Sequence, residues 1–160
     1  MPEPLSTTDG ERRAFAARLA ALPAAAAFVE EFCARHRIDR ADALRLTLVV
    51  EELFTNSVTH GYRGESDAPI EIALCAASDE IALLYEDAAP AYDPLSRYAT
   101  APDHLHATTE SRPVGGLGIH LVRELAAGAS YAREAERNRL RLRMARRRPA
   151  PQMPAAPSAG

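Results

Sequence analysis

The chain contains no lysine and no tryptophan, and aromatic residues make up only 6% of it. All 19 basic residues are arginine, which excludes a P-loop lysine on a phosphate and a lysine Schiff base. The two cysteines, Cys33 and Cys75, have no CxxC spacing and no histidine at ligand spacing. Neither a disulfide framework nor a zinc site is therefore indicated, and we expect both to be small buried apolar residues.

Long apolar runs are also missing, because the longest, residues 15–29, is interrupted by Arg18 and Pro23. No membrane span is predicted, and the polar, acidic start does not resemble a signal peptide, so we expect a cytoplasmic protein. The 160 residues carry a net charge of −3, which suits one globular domain and favours neither nucleic acid nor an anionic membrane as a partner. We predict disordered ends at residues 1–10 and 146–160 and a single domain over 11–145.

Hydrophobic periodicity predicts an α+β fold in which helices cover one face of a sheet. Asp39 is a good cap for the clearest helix, which Gly61 should end. The predicted order is a short edge strand at 12–17, helices at 24–37 and 40–60, a hairpin at 70–85 turning at 78–80, a long loop over 88–113, a helix closing near 128, and a hairpin turning at 136–138.

The helix after Asp39 carries three polar residues four apart, Glu52, Asn56 and His60, which should share one face. A carboxylate can accept a proton, and an amide oxygen is a hard ligand that suits magnesium. The alternative is a solvated polar face with His60 near the end of the helix.

Asp87 follows an apolar strand and faces a turn, in the run EDAAPAYDP. Such an acid can accept a hydrogen bond from an exocyclic amine while apolar neighbours hold a ring. The alternative is an aspartate that caps the turn.

A glycine cluster stands where the long loop becomes a helix, in the run Gly115, Gly116, Leu117, Gly118, Ile119 and His120. Glycines allow close approach of an anion, and the free amides of a helix start attract phosphate. The alternative is a hinge. The run has no Walker lysine and does not follow a strand as a dinucleotide fingerprint does, so any phosphate binding needs another design.

Together these runs resemble a known superfamily. EELFTNSVTHGY resembles the asparagine box of the Bergerat-fold ATPases, DAAPAYDP the first glycine box and GGLGIHLVREL the second. With HGY after the asparagine and a closing NRLRLRM strand, the chain looks most like the anti-sigma-factor serine kinases of bacterial partner-switching systems. The resemblance spans about residues 12–144 and implies a two-layer α/β sandwich with one mixed, mostly antiparallel sheet covered on one face by helices.

The resemblance implies a role for each matching residue, with ATP and Mg²⁺ as cofactors. Glu52 resembles the general base and Asn56 the magnesium ligand. Asp87 resembles the acid that receives the adenine amino group, with Ala91 and Tyr92 following along the pocket. The residues 115–120 resemble the turn whose amides meet the phosphates, and Arg112 just before them could meet the terminal phosphate or be an exposed arginine without that task.

One position departs from the family pattern. Ala89 stands where the first box has glycine, and its methyl group would crowd the adenine side or exclude a backbone angle that glycine allows. We expect nucleotide binding to survive this change, whereas phosphoryl transfer is less certain.

Three functions remain open on this basis. The leading hypothesis is an ATP- and magnesium-dependent serine/threonine kinase that phosphorylates a small antagonist protein and binds a sigma factor or other client. The first alternative is a module that switches partners without catalysis. The second is the catalytic domain of a histidine kinase, which is disfavoured because no phosphoacceptor helix precedes the domain. A homodimer is implied by the resemblance alone.

Overall fold

The computed structural model describes residues 10–96, 121–122, 124 and 128–147. A 3-10 turn, Leu19–Ala21, precedes the first helix, and a π-helical turn, Ser57–Gly61, extends the second. The strands and long helices of these ranges are β1 (Glu11–Ala16), α1 (Leu22–Arg35), α2 (Arg40–Asn56), β2 (Pro69–Ala76), β3 (Glu80–Asp87), β4 (Ala129–Glu134) and β5 (Arg137–Ala145).

The five described strands form one sheet in the order β1-β2-β3-β5-β4, and each neighbouring pair is antiparallel. The α+β fold class is confirmed. The resemblance implies a mixed sheet, but no parallel pair occurs among these five strands. β3 and β4 run in the same direction, but they do not pair with each other because β5 lies between them.

The core lies between the two helices and one face of the sheet, which we call the inner face. Ile72, Leu83 and Leu142 from this face are buried together with Phe32 and Phe54 from the helices. Burying each such side chain stabilises the fold by about 1.5–3 kcal/mol. These residues alternate along their strands with residues of the opposite, outer face, as the period-two pattern predicts.

Helix α2 begins as the sequence predicts. The Asp39 side chain accepts a hydrogen bond from the backbone N–H of Ala41 at 2.8 Å, which satisfies one of the free donors of the first turn. The α-helix ends at Asn56, and the chain continues through the π-helical turn to Gly61. Such turns are rare and concentrate at functional sites.

The outer face carries a network of glutamates and arginines at one end of the sheet. Glu71 and Glu86 are directly opposite in the β2–β3 register, an arrangement that is destabilising unless cations compensate it. Arg12 Nη2 lies 2.9 Å from an oxygen of each, and Arg137 Nη1 lies 3.0 Å from Glu71 and 3.3 Å from Glu86. Arg139 Nε also bonds Glu86, which is buried. The network therefore fixes the end of β3, where Asp87 is the next residue.

The last hairpin differs from its prediction. Its turn consists of Ala135 and Glu136, whose φ angles of 49° and 62° are both left-handed, as a two-residue type I′ turn requires. The predicted turn at 136–138 is wrong at Arg137 and Asn138, which belong to β5. Asn138 consequently shares the inner face with Leu140.

Cys33 and Cys75 do not form a disulfide with one another. Cys33 is buried as predicted, and desolvation raises the pKa of its thiol to about 11. Cys75 is only half-buried, which corrects the prediction, because it lies on the outer face opposite Ala82. Within the described ranges, no helix has the length and apolar character needed to cross a bilayer.

Candidate nucleotide-binding site

A small cavity lies between the end of α2 and the inner face of the sheet, with a volume of about 10 Å³. It combines apolar and aromatic walls with one carboxylate and two amides. Its described lining residues are Leu53, Asn56, Ser57, Tyr85, Asp87, Tyr92, Pro94, Tyr131, Asn138 and Leu140.

Asp87 ends β3 and is buried with its carboxylate at the cavity. Its Oδ2 accepts a hydrogen bond from Ser57 Oγ at 2.8 Å, and its Oδ1 accepts from Asn138 Nδ2 at 2.8 Å and from the N–H of Ala89 at 3.1 Å. The bond to Ala89 is the turn cap that the sequence offered as an alternative. Each carboxylate oxygen has two acceptor positions, and the described residues donate one hydrogen bond to Oδ2, which is compatible with a further donor from a ligand.

Ser57 links Asp87 to a second hydroxyl. Because Ser57 Oγ donates to Asp87, it accepts from the Tyr85 hydroxyl at 2.8 Å. All three side chains are buried, so the chain of hydrogen bonds satisfies polar groups that would otherwise be costly. The sequence signal for Ser57 was its position four residues after Leu53, on the apolar stripe of α2.

Asn138 makes hydrogen bonds through both polar atoms of its side chain, and the sequence interpretation missed its role. It is 5% exposed and joins β5 to the loop that follows β3. Asn138 precedes Leu140 by two residues, so strand alternation places both on the same face, and this spacing is the signal that could have revealed its role. Its Nδ2 donates to Asp87 Oδ1 and to the carbonyls of Ala89 and Pro90, and its Oδ1 accepts from Tyr92 N, Tyr131 Oη and Arg133 Nη1, at 2.7 to 3.2 Å.

Of the three polar residues on α2 and its extension, Asn56 is the one at the cavity. It is 6% exposed, and its Nδ2 donates to the Tyr92 hydroxyl. Glu52 lies one turn earlier and is half-buried, outside the cavity lining. His60 is exposed, because the π-helical turn changes the spacing that an α-helix would have kept. The predicted common face does not extend to His60.

The remaining predicted residues lie on the loop after β3 or beyond it. Tyr92 lines the cavity, whereas Ala91 is exposed and does not. Arg112 and the run Gly115, Gly116, Leu117, Gly118, Ile119 and His120 lie outside the described residues, so their roles stay predictions.

Tyr62 supports the same loop from outside the cavity. Its hydroxyl accepts a hydrogen bond from the N–H of Ala88 at 2.8 Å. Burial raises the pKa of Tyr62, so this hydroxyl stays protonated near neutral pH.

Of the two effects expected of Ala89, the structure excludes the backbone effect, whereas crowding of the adenine stays a prediction. The backbone at Ala89 is outside the left-handed region. Its side chain is fully buried, is not part of the cavity lining, and packs beside Gly61, where an added Cβ would lie 3.3 Å from the Ala89 Cβ. The Ala89 methyl group therefore lies next to the space that a side chain at position 61 would need.

This packing predicts that substitutions at the two positions are coupled. We expect Gly61→Ala to lower the free energy of unfolding by about 1 kcal/mol through crowding, and Ala89→Gly by a similar amount through loss of a buried methyl group. The double variant should be about 1 kcal/mol more stable than the sum of the two predicts. Urea unfolding of the four proteins measures this, and additive effects would contradict the proposed contact.

Most of the chain matches a known protein family. The sequence profile of the histidine kinase-like ATPase domain matches residues 15–144. The chain belongs to this family. A relative from Bordetella bronchiseptica, the serine/threonine-protein kinase BtrW, is 30% identical over 115 residues, which cover 72% of this chain and 79% of that protein.

A second relative of this ATPase-family chain, the serine-protein kinase RsbW of Listeria monocytogenes, is 30% identical over 81 residues, covering 50% of this chain and 52% of the kinase. A crystal structure of the RsbU and RsbW domains of a Mycobacterium tuberculosis protein superposes with a TM-score of 0.61 at 19% identity, over 89% of this chain. The chain spans about half the length of the Listeria kinase and 34% of the solved chain. The structural likeness confirms the fold.

Proposed function

We propose that the chain is an ATP-binding serine/threonine protein kinase of the anti-sigma-factor type. The observation that carries the proposal is the pairing, across one cavity, of a buried carboxylate on β3 with a buried amide on α2. The family is one of ATPases, and relatives of this chain are named serine/threonine kinases. In this proposal the protein acts in the cytoplasm, phosphorylates a small antagonist protein and binds a sigma factor or other client.

The polar and apolar groups that line the cavity match the chemistry of an adenine ring. Asp87 Oδ2 is the acceptor for the exocyclic amine, and the walls around it, such as Leu53 and Leu140, are apolar. Tyr131 adds an aromatic wall from β4. Recognition of a base by one buried carboxylate in an apolar pocket gives specificity, because a base that presents an acceptor there places it against the negatively charged Oδ2 without a hydrogen bond.

The phosphate end of the site involves α2 and the second glycine box. The Asn56 amide oxygen would be a protein ligand of Mg²⁺, an ion that takes few protein ligands and otherwise relies on phosphates and water. The bound ion neutralises charge on the phosphates when present. Glu52 accepts the proton of the substrate serine, while the amides of residues 115–120 and the cation of Arg112 hold the phosphates. Phosphoryl transfer needs this positioning more than covalent help from the protein.

Phosphorylation explains how one domain could exchange partners. A phosphoserine adds about two negative charges to the antagonist at neutral pH. Placed in a protein interface, this charge weakens the complex with the kinase and leaves the client as the preferred partner.

A second candidate is a partner-binding module without catalysis. It is favoured by the hydrogen bonds that Asp87 and Asn56 already make within the protein and by the small volume of the cavity. A module that never opened this cavity would bind its partners without ATP.

Incubation with labelled ATP, Mg²⁺ and a small antagonist protein of the proposed class, from the same organism as this chain, separates the two candidates. We expect ATP binding that magnesium strengthens and label on a serine of the antagonist. Asn56→Ala should remove the gain from magnesium. A folded protein that binds the antagonist but leaves it unlabelled would support the module instead.

A further inference from the structure

We propose that Tyr92 is a gate: its side chain closes the base pocket, and its hydroxyl holds the Asn56 side chain through Nδ2 until a nucleotide displaces it. This inference rests on the proposed nucleotide-binding function and adds a regulated opening step to the same site.

The cavity is too small for a nucleobase. A cavity of about 10 Å³ holds roughly one water molecule and cannot admit a nucleobase. At least one lining group must therefore move before a nucleotide enters.

Tyr92 is a lining residue that can move without disturbing a helix or a strand. Asn56 and Leu53 are held on α2, and Asp87 is held on β3. Tyr92 lies in the segment 88–93, which forms neither helix nor strand, and its side chain is half-buried. Displacing it leaves the helix and the sheet intact.

Tyr92 is held through its backbone and through its side chain. Its backbone N–H donates to Asn138 Oδ1 at 3.2 Å, and its hydroxyl accepts from Asn56 Nδ2. The backbone bond does not depend on the side-chain torsion. The ring can therefore rotate out while Asn138 continues to hold the loop.

Opening has two simultaneous effects because one side chain does both tasks. Outward rotation of the ring enlarges the pocket beside Asp87, and the same movement breaks the hydrogen bond that fixes the orientation of the Asn56 side chain. Entry of the base and the freedom of the Asn56 amide to turn its oxygen toward a metal ion are thereby linked to one conformational equilibrium.

Tyr92→Phe tests the gate, since it keeps the ring and removes the hydrogen bond that favours the closed state. A larger fraction of molecules is then competent to bind, and we expect the Kd for ATP to fall about two- to tenfold with faster association. The gain should be equal with Mg²⁺ and with EDTA, because it arises when the base enters. Calorimetry gives the affinities, and stopped-flow fluorescence with a labelled ADP gives the association rates.

Tyr62→Phe is the matched control. It also removes a tyrosine hydroxyl that holds the same loop, at Ala88, but Tyr62 is not among the described residues that line the cavity. We expect its ATP affinity and association rate to equal those of the parent protein. Circular dichroism and urea unfolding establish that each variant is folded.

The possible outcomes distinguish the proposed Tyr92 gate from the proposed nucleotide-binding function. If the parent protein binds ATP and Tyr92→Phe binds it equally or more weakly, the gate is wrong and nucleotide binding stands. A gain only with Mg²⁺ also contradicts the gate, because it assigns the hydroxyl to the metal site alone. If neither protein binds any adenine nucleotide, both proposals fall.

Discussion

Glu52→Gln is expected to lower the rate of phosphoryl transfer to serine about 10²- to 10⁴-fold, the usual contribution of a positioned general base. Nucleotide affinity should change little, because Glu52 lies outside the described cavity lining. Glutamine keeps the size and polarity of the side chain but cannot accept the proton of the serine. Single-turnover phosphorylation of the antagonist and calorimetric titration with ATP measure the two quantities.

Glu51→Gln provides the matched control for this substitution. Glu51 is the preceding residue of α2 and is also half-buried, but its side chain is about 100° away around the helix. Both variants lose one negative charge at the same end of α2, so a general electrostatic effect would lower both rates. Equal rates for Glu52→Gln and the parent protein would remove the base assignment. Equal losses in both variants would assign the effect to charge.

Much of the fold could be predicted because local signals and tertiary packing agree. The cap at Asp39 and the apolar period of α2 point to one helix, and the structure has it. The alternation of β2 with the turn before Glu80 likewise predicts a hairpin that the structure contains. Agreement between levels of this kind makes a prediction from sequence dependable.

The predictions failed where backbone conformation departs from the usual preferences of residues. Ala135 and Glu136 adopt left-handed angles that favour glycine or asparagine, so the predicted turn at 136–138 begins one residue too late and ends two residues too late. The predicted turn therefore includes Asn138, which the structure places on the inner face of β5. The π-helical turn moved His60 away from Asn56 for a related reason, since periodicity assumes a regular helix.

The site itself was only partly predictable. Motif spacing brought Asn56, Asp87 and Tyr92 to one cavity in three dimensions, as the resemblance implies. The partners that orient Asp87, namely Ser57 and Asn138, depend on strand register and on the π-helical turn, which the sequence pattern does not report. Ala89 shows the same limit, because its compatibility depends on the missing side chain at Gly61, 28 residues earlier in the chain.

Asp87→Asn is expected to weaken ATP binding about 10- to 100-fold and to reduce the preference for ATP over GTP. The carboxylate would form a charge-assisted hydrogen bond with the adenine amine, and losing such a bond costs about 1.5–3 kcal/mol. In the variant, one carboxylate oxygen becomes an NH₂ group among the donors Ser57, Asn138 and the N–H of Ala89. Part of the loss will therefore be structural, and affinity alone does not isolate the contact with the base.

Exchanging the two side chains separates these effects. Asp87→Asn combined with Asn138→Asp keeps a carboxylate–amide pair between β3 and β5 but moves the charge away from the predicted position of the adenine amine. The double variant should be more stable in urea unfolding than the two single losses together predict, because it restores one carboxylate–amide pair, but its affinity for ATP should stay that of Asp87→Asn. Asn138→Asp alone should be the least stable, because it opposes two buried carboxylates. Recovery of ATP affinity in the double variant, or a parent protein that binds GTP as tightly as ATP, would contradict base recognition by Asp87.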